Sequence, residues 1–125
     1  MKFLGALFLM ALASPAVASN WYWFATGSQG EEFSADRDSG RNDGTFASIW
    51  VRSDLSKVRT TTWRSTRQLW RFNCKTGTSA TVSFIAYAPD GSVVRSHSDP
   101  YAAYEPVAPD TIGDTLLKDV CKGLQ

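Results

Sequence analysis

Between Trp21 and Ser96, apolar and polar residues alternate largely at every second position, which is the period of strands buried on one side. A short aromatic strand is predicted over residues 21–25 and ends at Thr26-Gly27-Ser28. Residues 31–38 form a second strand with Phe33 and Ala35 on one side. Asn42-Asp43-Gly44 is a tight turn, because these residue types tolerate positive φ. It leads into residues 45–52, where Phe46, Ser48 and Trp50 alternate with Ala47, Ile49 and Val51. The next strand is predicted to be long, from Thr60 to Cys74, a stretch dense in Thr and Trp. Residues 78–88 return from it, with Ala80, Val82, Phe84 and Ala86 on one face. Pro89-Asp90-Gly91 then turns the chain into a last strand over residues 93–96.

Beyond the prolines at 100, 106 and 109 the apolar period lengthens to about 3.6. Thr111 can cap a helix start, with Asp114 three positions on. Ile112, Leu116, Val120 and Leu117, Cys121, Leu124 make one apolar stripe, and Gly123 is a stop. Lys118 and Lys122 suit the negative end of the helix dipole. The expected architecture is α+β: a single antiparallel sheet of about six strands with one C-terminal helix packed on it.

The first eighteen residues change how composition is read. A basic Met1-Lys2 start, an apolar run over residues 3–12 and an Ala-x-Ala ending at Ala18 form a signal peptide. The run is half the length a membrane-spanning helix needs. A domain over residues 19–125 follows, with no integral membrane segment, exported and most simply periplasmic, though secretion or a surface location is compatible. Ser19 stands at the expected cleavage point, where a lipoprotein would carry the cysteine that is acylated. In an oxidising compartment Cys74 and Cys121 are expected to pair, since both fall on inward positions.

Without its leader the chain is neutral, which argues against a general nucleic-acid binder. The charge is unevenly spread: residues 52–75 hold seven basic residues against Asp54, a net +6, and the flanks are each −3. On the long strand Arg59, Trp63, Arg67 and Arg71 share parity and would line one face. Arginine forks with an interleaved Trp suit anionic partners, either an anionic glycan or an acidic protein segment. These four are the candidate ligand-binding residues.

Catalytic signals are sparse. His97 is the single histidine; its neighbours Ser96, Ser98 and Asp99 are adjacent in sequence, whereas a triad assembles in space. Asp36, Asp38 and Asp43 do not fit a calcium loop, because Arg41 falls where Gly is required. They are expected to cap turns. No cofactor and no metal is expected.

The chain resembles the surface-adhesin protein E family. The likeness is carried in order by Trp21, Phe33-Ser34-Ala35-Asp36, Asp43-Gly44, Ile49-Trp50-Val51, Asn73-Cys74 and the tail from Pro106 to Cys121. The resemblance implies a helix-packed antiparallel sheet and a Cys74–Cys121 bridge. It also implies a non-enzymatic envelope binding module similar to adhesins of host matrix or serum proteins. Two alternatives stand beside that expectation. One is a periplasmic structural or accessory domain that works by protein–protein contact, with a homodimer as one form. The other is a hydrolase using His97.

Overall fold

In the computed structural model, which describes residues 19–123, eight strands precede one helix. The strands are β1 (Trp21–Thr26), β2 (Glu32–Asp36), β3 (Arg41–Asn42), β4 (Phe46–Asp54), β5 (Ser65–Asn73), β6 (Thr78–Tyr87), β7 (Val93–Ser98) and β8 (Glu105–Pro106). The helix is α1 (Ile112–Gly123). The expected leader, Leu124 of the apolar stripe and Gln125 lie outside the described residues. The main path is an antiparallel meander, β1-β2-β4-β5-β6-β7, with β3 paired to β4 and β8 to β6. The six-strand expectation matches that path; the two extra strands are two-residue pairings.

The sheet is built on β4 and β5, which pair in unbroken register from Phe46–Asn73 to Asp54–Ser65. Alternation in β4 is complete, with Ala47, Ile49, Val51 and Ser53 buried and their neighbours less so. With Ala35, Phe72, Leu116 and Val120 the three apolar ones form a core in which each residue is at most 1% exposed. Burial of the larger ones, Ile49, Val51, Phe72, Leu116 and Val120, contributes about 1.5–3 kcal/mol each and decides which face of the sheet turns inward. Tyr22, Phe24, Phe33 and Trp70 extend that core laterally.

The helix covers this face as its stripe requires. Leu116 and Val120 are fully buried, and Cys121 bonds Cys74 with 5.6 Å between Cα atoms. Polar contacts fix the docking. Tyr22 donates its hydroxyl to Asp119, and Asn42 Nδ2 donates to the carbonyl of Val120 at 3.0 Å near the helix end. At the other end Thr111 Oγ1 accepts from Asp114 N–H. Asp114 reaches back to Asp110 N–H rather than to that of Thr111, and pairs with Lys118 at 2.9 Å. The Lys118 bond, then the Asp110 amide, hold the Asp114 carboxyl below its ordinary range.

Several boundaries differ from the sequence expectation, each for a local reason. Residues 31–38 are not one strand: Asp36 accepts from Asp38 N–H and nucleates a short 3₁₀ turn over Arg37–Ser39. Ser39 Oγ then accepts Trp50 N–H at 3.0 Å, so the interruption leaves that donor of β4 satisfied. The long strand from Thr60 is shorter, beginning at Ser65. Residues 55–64 loop instead, closed by Leu55 N–H to Arg64 O at 2.9 Å. Thr61 Oγ1 accepts Trp63 N–H there, a local bond that competes with a ladder, while Thr60 donates its hydroxyl to Gln29. In β6 a bulge at Val82 breaks parity, so Phe84 and Ala86 face the helix side while Ala80 sits with its partner Arg71. The Asn42-Asp43-Gly44 turn forms as expected, with Gly44 at φ 96° and Asp43 Oδ1 accepting from Thr45 and Phe46.

Candidate functional site

Directly paired residues point to the same side of a sheet. The pairs Ala35–Val51, Ile49–Trp70 and Ala47–Phe72 therefore mark the helix-covered face. On the opposite, outer face, Trp50 lies beside Leu69, Ser48 beside Arg71 and Arg52 beside Arg67, with Ile85 next to Arg67. Trp21 joins from the edge, since its partner Asp36 follows Ser34, which pairs with Arg52.

Aromatic rings hold the guanidinium groups. Arg52 lies 4.7 Å from the Trp21 ring centroid, and Arg67 lies 5.6 Å from Trp21 and 5.9 Å from Tyr87. Arg71 sits over Phe46 at 5.1 Å. At exposed positions such contacts contribute about 0.5–1 kcal/mol, enough to bias orientation without neutralising the charge. Arg64, the residue before β5, donates its backbone N–H to Tyr87 O at 2.8 Å and so enters the same corner. Arg52, Arg64, Arg67 and Tyr87 line one cleft of about 370 Å³. A neighbouring hollow of about 270 Å³ is walled by Trp21, Trp50, Ile85, Tyr87, Arg67 and Asp36.

Acidic groups near this corner accept from other donors, although Asp36 also walls the hollow. Asp36 Oδ1 accepts from Asn20 N–H and Asp38 N–H. Glu32 accepts from Trp23 Nε1 at 2.6 Å and from Thr26. Asp54 accepts from Ser56 N–H; Ser56 first, then Arg64 and Arg52 at longer range, hold its carboxyl below the ordinary range. Among the described residues the ion pair within 4.0 Å is Lys118–Asp114, on the helix. The arginine corner is thus cationic and unpaired at that distance.

Of the four sequence-predicted binding residues, Arg67 and Arg71 lie on the outer face as expected, four positions apart, about 13 Å. Arg71 stands nearer Asp43, whose carboxyl is held low first by the amides of Phe46 and Thr45 and in smaller part by Arg71. Arg59 and Trp63 do not join them. Arg59 is exposed in the loop before β5, and Trp63 packs on Phe84, 5.8 Å between rings, on the helix side. Their shared parity assumed a strand that starts five residues later. Sequence reasoning missed Arg52, Arg64, Trp21, Trp50 and Tyr87. Arg52 and Trp50 share parity opposite the buried Ile49 and Val51, which was the available signal.

His97 pairs with Phe84 on β7 and is exposed, whereas Ser96 and Ser98 point to the opposite side. Asp36 and Asp43 cap turns, and among the described residues no group of three metal-ligating side chains comes together. No described helix is long and apolar enough to cross a membrane.

The chain is thus a disulfide-pinned meander with one face closed by a helix and the other bearing aromatic and cationic groups. The family model for surface-adhesin protein E matches residues 21–122, and the chain belongs to that family. No curated protein matches it.

Proposed function

We propose that this protein is an exported, non-enzymatic binding module of the bacterial envelope, and that it recognises its partner through the outer face of the sheet. The observation that carries the reading is the asymmetry of the sheet: the helix closes one face, while Arg52 and Arg67 stand directly opposite each other on the other. Like charges in that arrangement are destabilising by themselves, so folding alone does not favour the pair. Membership of the adhesin family supports a protein-binding role. Export through the leader, cleavage before Ser19 and a periplasmic or surface location belong to the same proposal, and N-terminal sequencing of the mature protein checks them. The binding test uses immobilised matrix and serum proteins with the wild type and the Arg67→Ala/Arg71→Ala variant. The expected result is capture that falls several-fold in the variant and at high salt. Equal capture by both proteins places recognition elsewhere.

A second reading has its own observation. All six residues of the edge strand β7 are exposed, including Val93 and Val94. An open edge of this kind favours an accessory domain that pairs with another chain, including a second copy. Sedimentation of the mature protein separates the two, since edge pairing is insensitive to salt and to the arginine substitutions. A hydrolase working through His97 is the remaining alternative; activity retained in His97→Ala removes it.

A further inference from the structure

The cationic cleft and the aromatic hollow on the outer face meet along two shared residues, Arg67 and Tyr87. That adjacency decides what kind of ligand fits. At about 270 Å³ the hollow lies below the usual size of a complete small-molecule site. It is open and aromatic-walled, suited to a single flat-faced unit of a longer chain rather than to a whole ligand. The cleft beside it offers three guanidinium groups, whose fork geometry matches oxyanions. Trp21 and Tyr87 bias the orientation of two of them, which lowers the side-chain freedom lost on binding. A ligand unit that places a ring on Trp50 and Tyr87 and an acidic substituent in the cleft satisfies both parts.

We propose that the outer face binds an acidic polysaccharide, with one sugar ring in the Trp21–Trp50–Tyr87 hollow and its sulfate or carboxylate held by Arg52, Arg64 and Arg67. This deepens the binding-module reading and rests on it. An extended acidic peptide is the competing class. It would satisfy the arginines but carries no repeating ring to fill the hollow, and on that ground the glycan is favoured.

The test is calorimetric titration of the purified protein with a heparin-derived hexasaccharide, a length-matched polyglutamate and a neutral maltohexaose. The expected result is binding of the sulfated hexasaccharide in preference to both others. Arg52→Gln, Arg64→Gln and Arg67→Gln are each expected to weaken it about tenfold, the scale of a charge-assisted hydrogen bond. Trp50→Ala is expected to weaken the hexasaccharide while leaving any response to inorganic sulfate unchanged, and Arg59→Gln to change neither. Thermal unfolding of each variant confirms that the fold is retained; for one that unfolds, Trp50→Phe and Arg→Lys replacements take its place. Equal binding of polyglutamate, or a hexasaccharide affinity indifferent to all three arginines, overturns the proposal. If no glycan binds while matrix or serum proteins are still captured in an Arg67-dependent way, the glycan assignment fails and the module reading survives. Loss of both removes the reading itself.

Discussion

The two faces of one sheet follow opposite rules here. On the helix side each β4 position from Ala47 to Val51 that points inward is fully buried, and the polar groups present there are partnered: Ser53 with Thr66, Tyr22 with Asp119. On the outer side the same strands place Arg52 against Arg67 and stack both on Trp21. Local consistency between pattern, packing and charge marks positions selected for folding, and its violation marks positions selected for something else. The helix face is consistent at every level, and the arginine corner is not. The contrast can be tested by perturbing each face in turn, because stability should depend on one and binding on the other.

The largest effect is expected at the covalent link between helix and sheet. The bridge joins residues 47 apart, and loop-closure entropy assigns about 4 kcal/mol to a loop of that size. Small domains have about 5–15 kcal/mol in total. Reduction, or a Cys74→Ala/Cys121→Ala replacement, should therefore bring the urea midpoint down by a large fraction. An unchanged midpoint would mean that noncovalent packing of Leu116 and Val120 holds the helix unaided.

A smaller effect, with a pH signature, is expected where the helix meets β1. Burial, reinforced by the Asp119 hydrogen bond and charge, pushes the Tyr22 phenol well above its ordinary value. The unfolded phenol titrates near about 10. Because the folded value is the higher one, the Tyr22 contribution is complete below about pH 10 and is lost as pH rises beyond it. Tyr22→Phe keeps the ring and should cost about 1 kcal/mol at neutral pH. The wild-type advantage over it should shrink between about pH 10 and pH 12. Parallel stability curves over that range would show that the hydroxyl does not couple to folding.

These features differ in how far the sequence announced them. The meander, the helix and the bridge were legible because each leaves a local mark: period two, period 3.6, and two inward cysteines in a chain expected to be exported. The binding corner was half legible. Arg67 and Arg71 were found because β5 stays in unbroken register with β4 from Ser65 to Asn73, so residues four apart share a face. Arg59 and Trp63 were misplaced because a run of threonines favours a strand by propensity, yet here Thr61 bonds the Trp63 N–H and Thr60 reaches Gln29. Arg52, Trp21 and Tyr87 were missed for a different reason. They stand on three different strands, β1, β4 and β6, and meet only through the registers of β1 on β2, β2 on β4, β4 on β5 and β5 on β6, which the parity of a single strand does not give.

The smallest expected effect bears most directly on the contrast between the faces. Arg52→Gln removes one member of a like-charge pair and also one guanidinium from Trp21. The first change favours the variant by about 0.2–1 kcal/mol, and the second disfavours it by about 0.5–1. Salt separates them. At about 0.01 M ionic strength the screening length is about 30 Å and the repulsion acts in full, whereas at about 1 M it is about 3 Å. The variant should therefore match or exceed the wild type in low-salt urea unfolding and fall slightly below it in high salt. A change in the opposite sense would mean that attraction to Asp54 outweighs repulsion from Arg67. The outer face would then be balanced for folding like the inner one, and the distinction between the two faces would lose its physical basis.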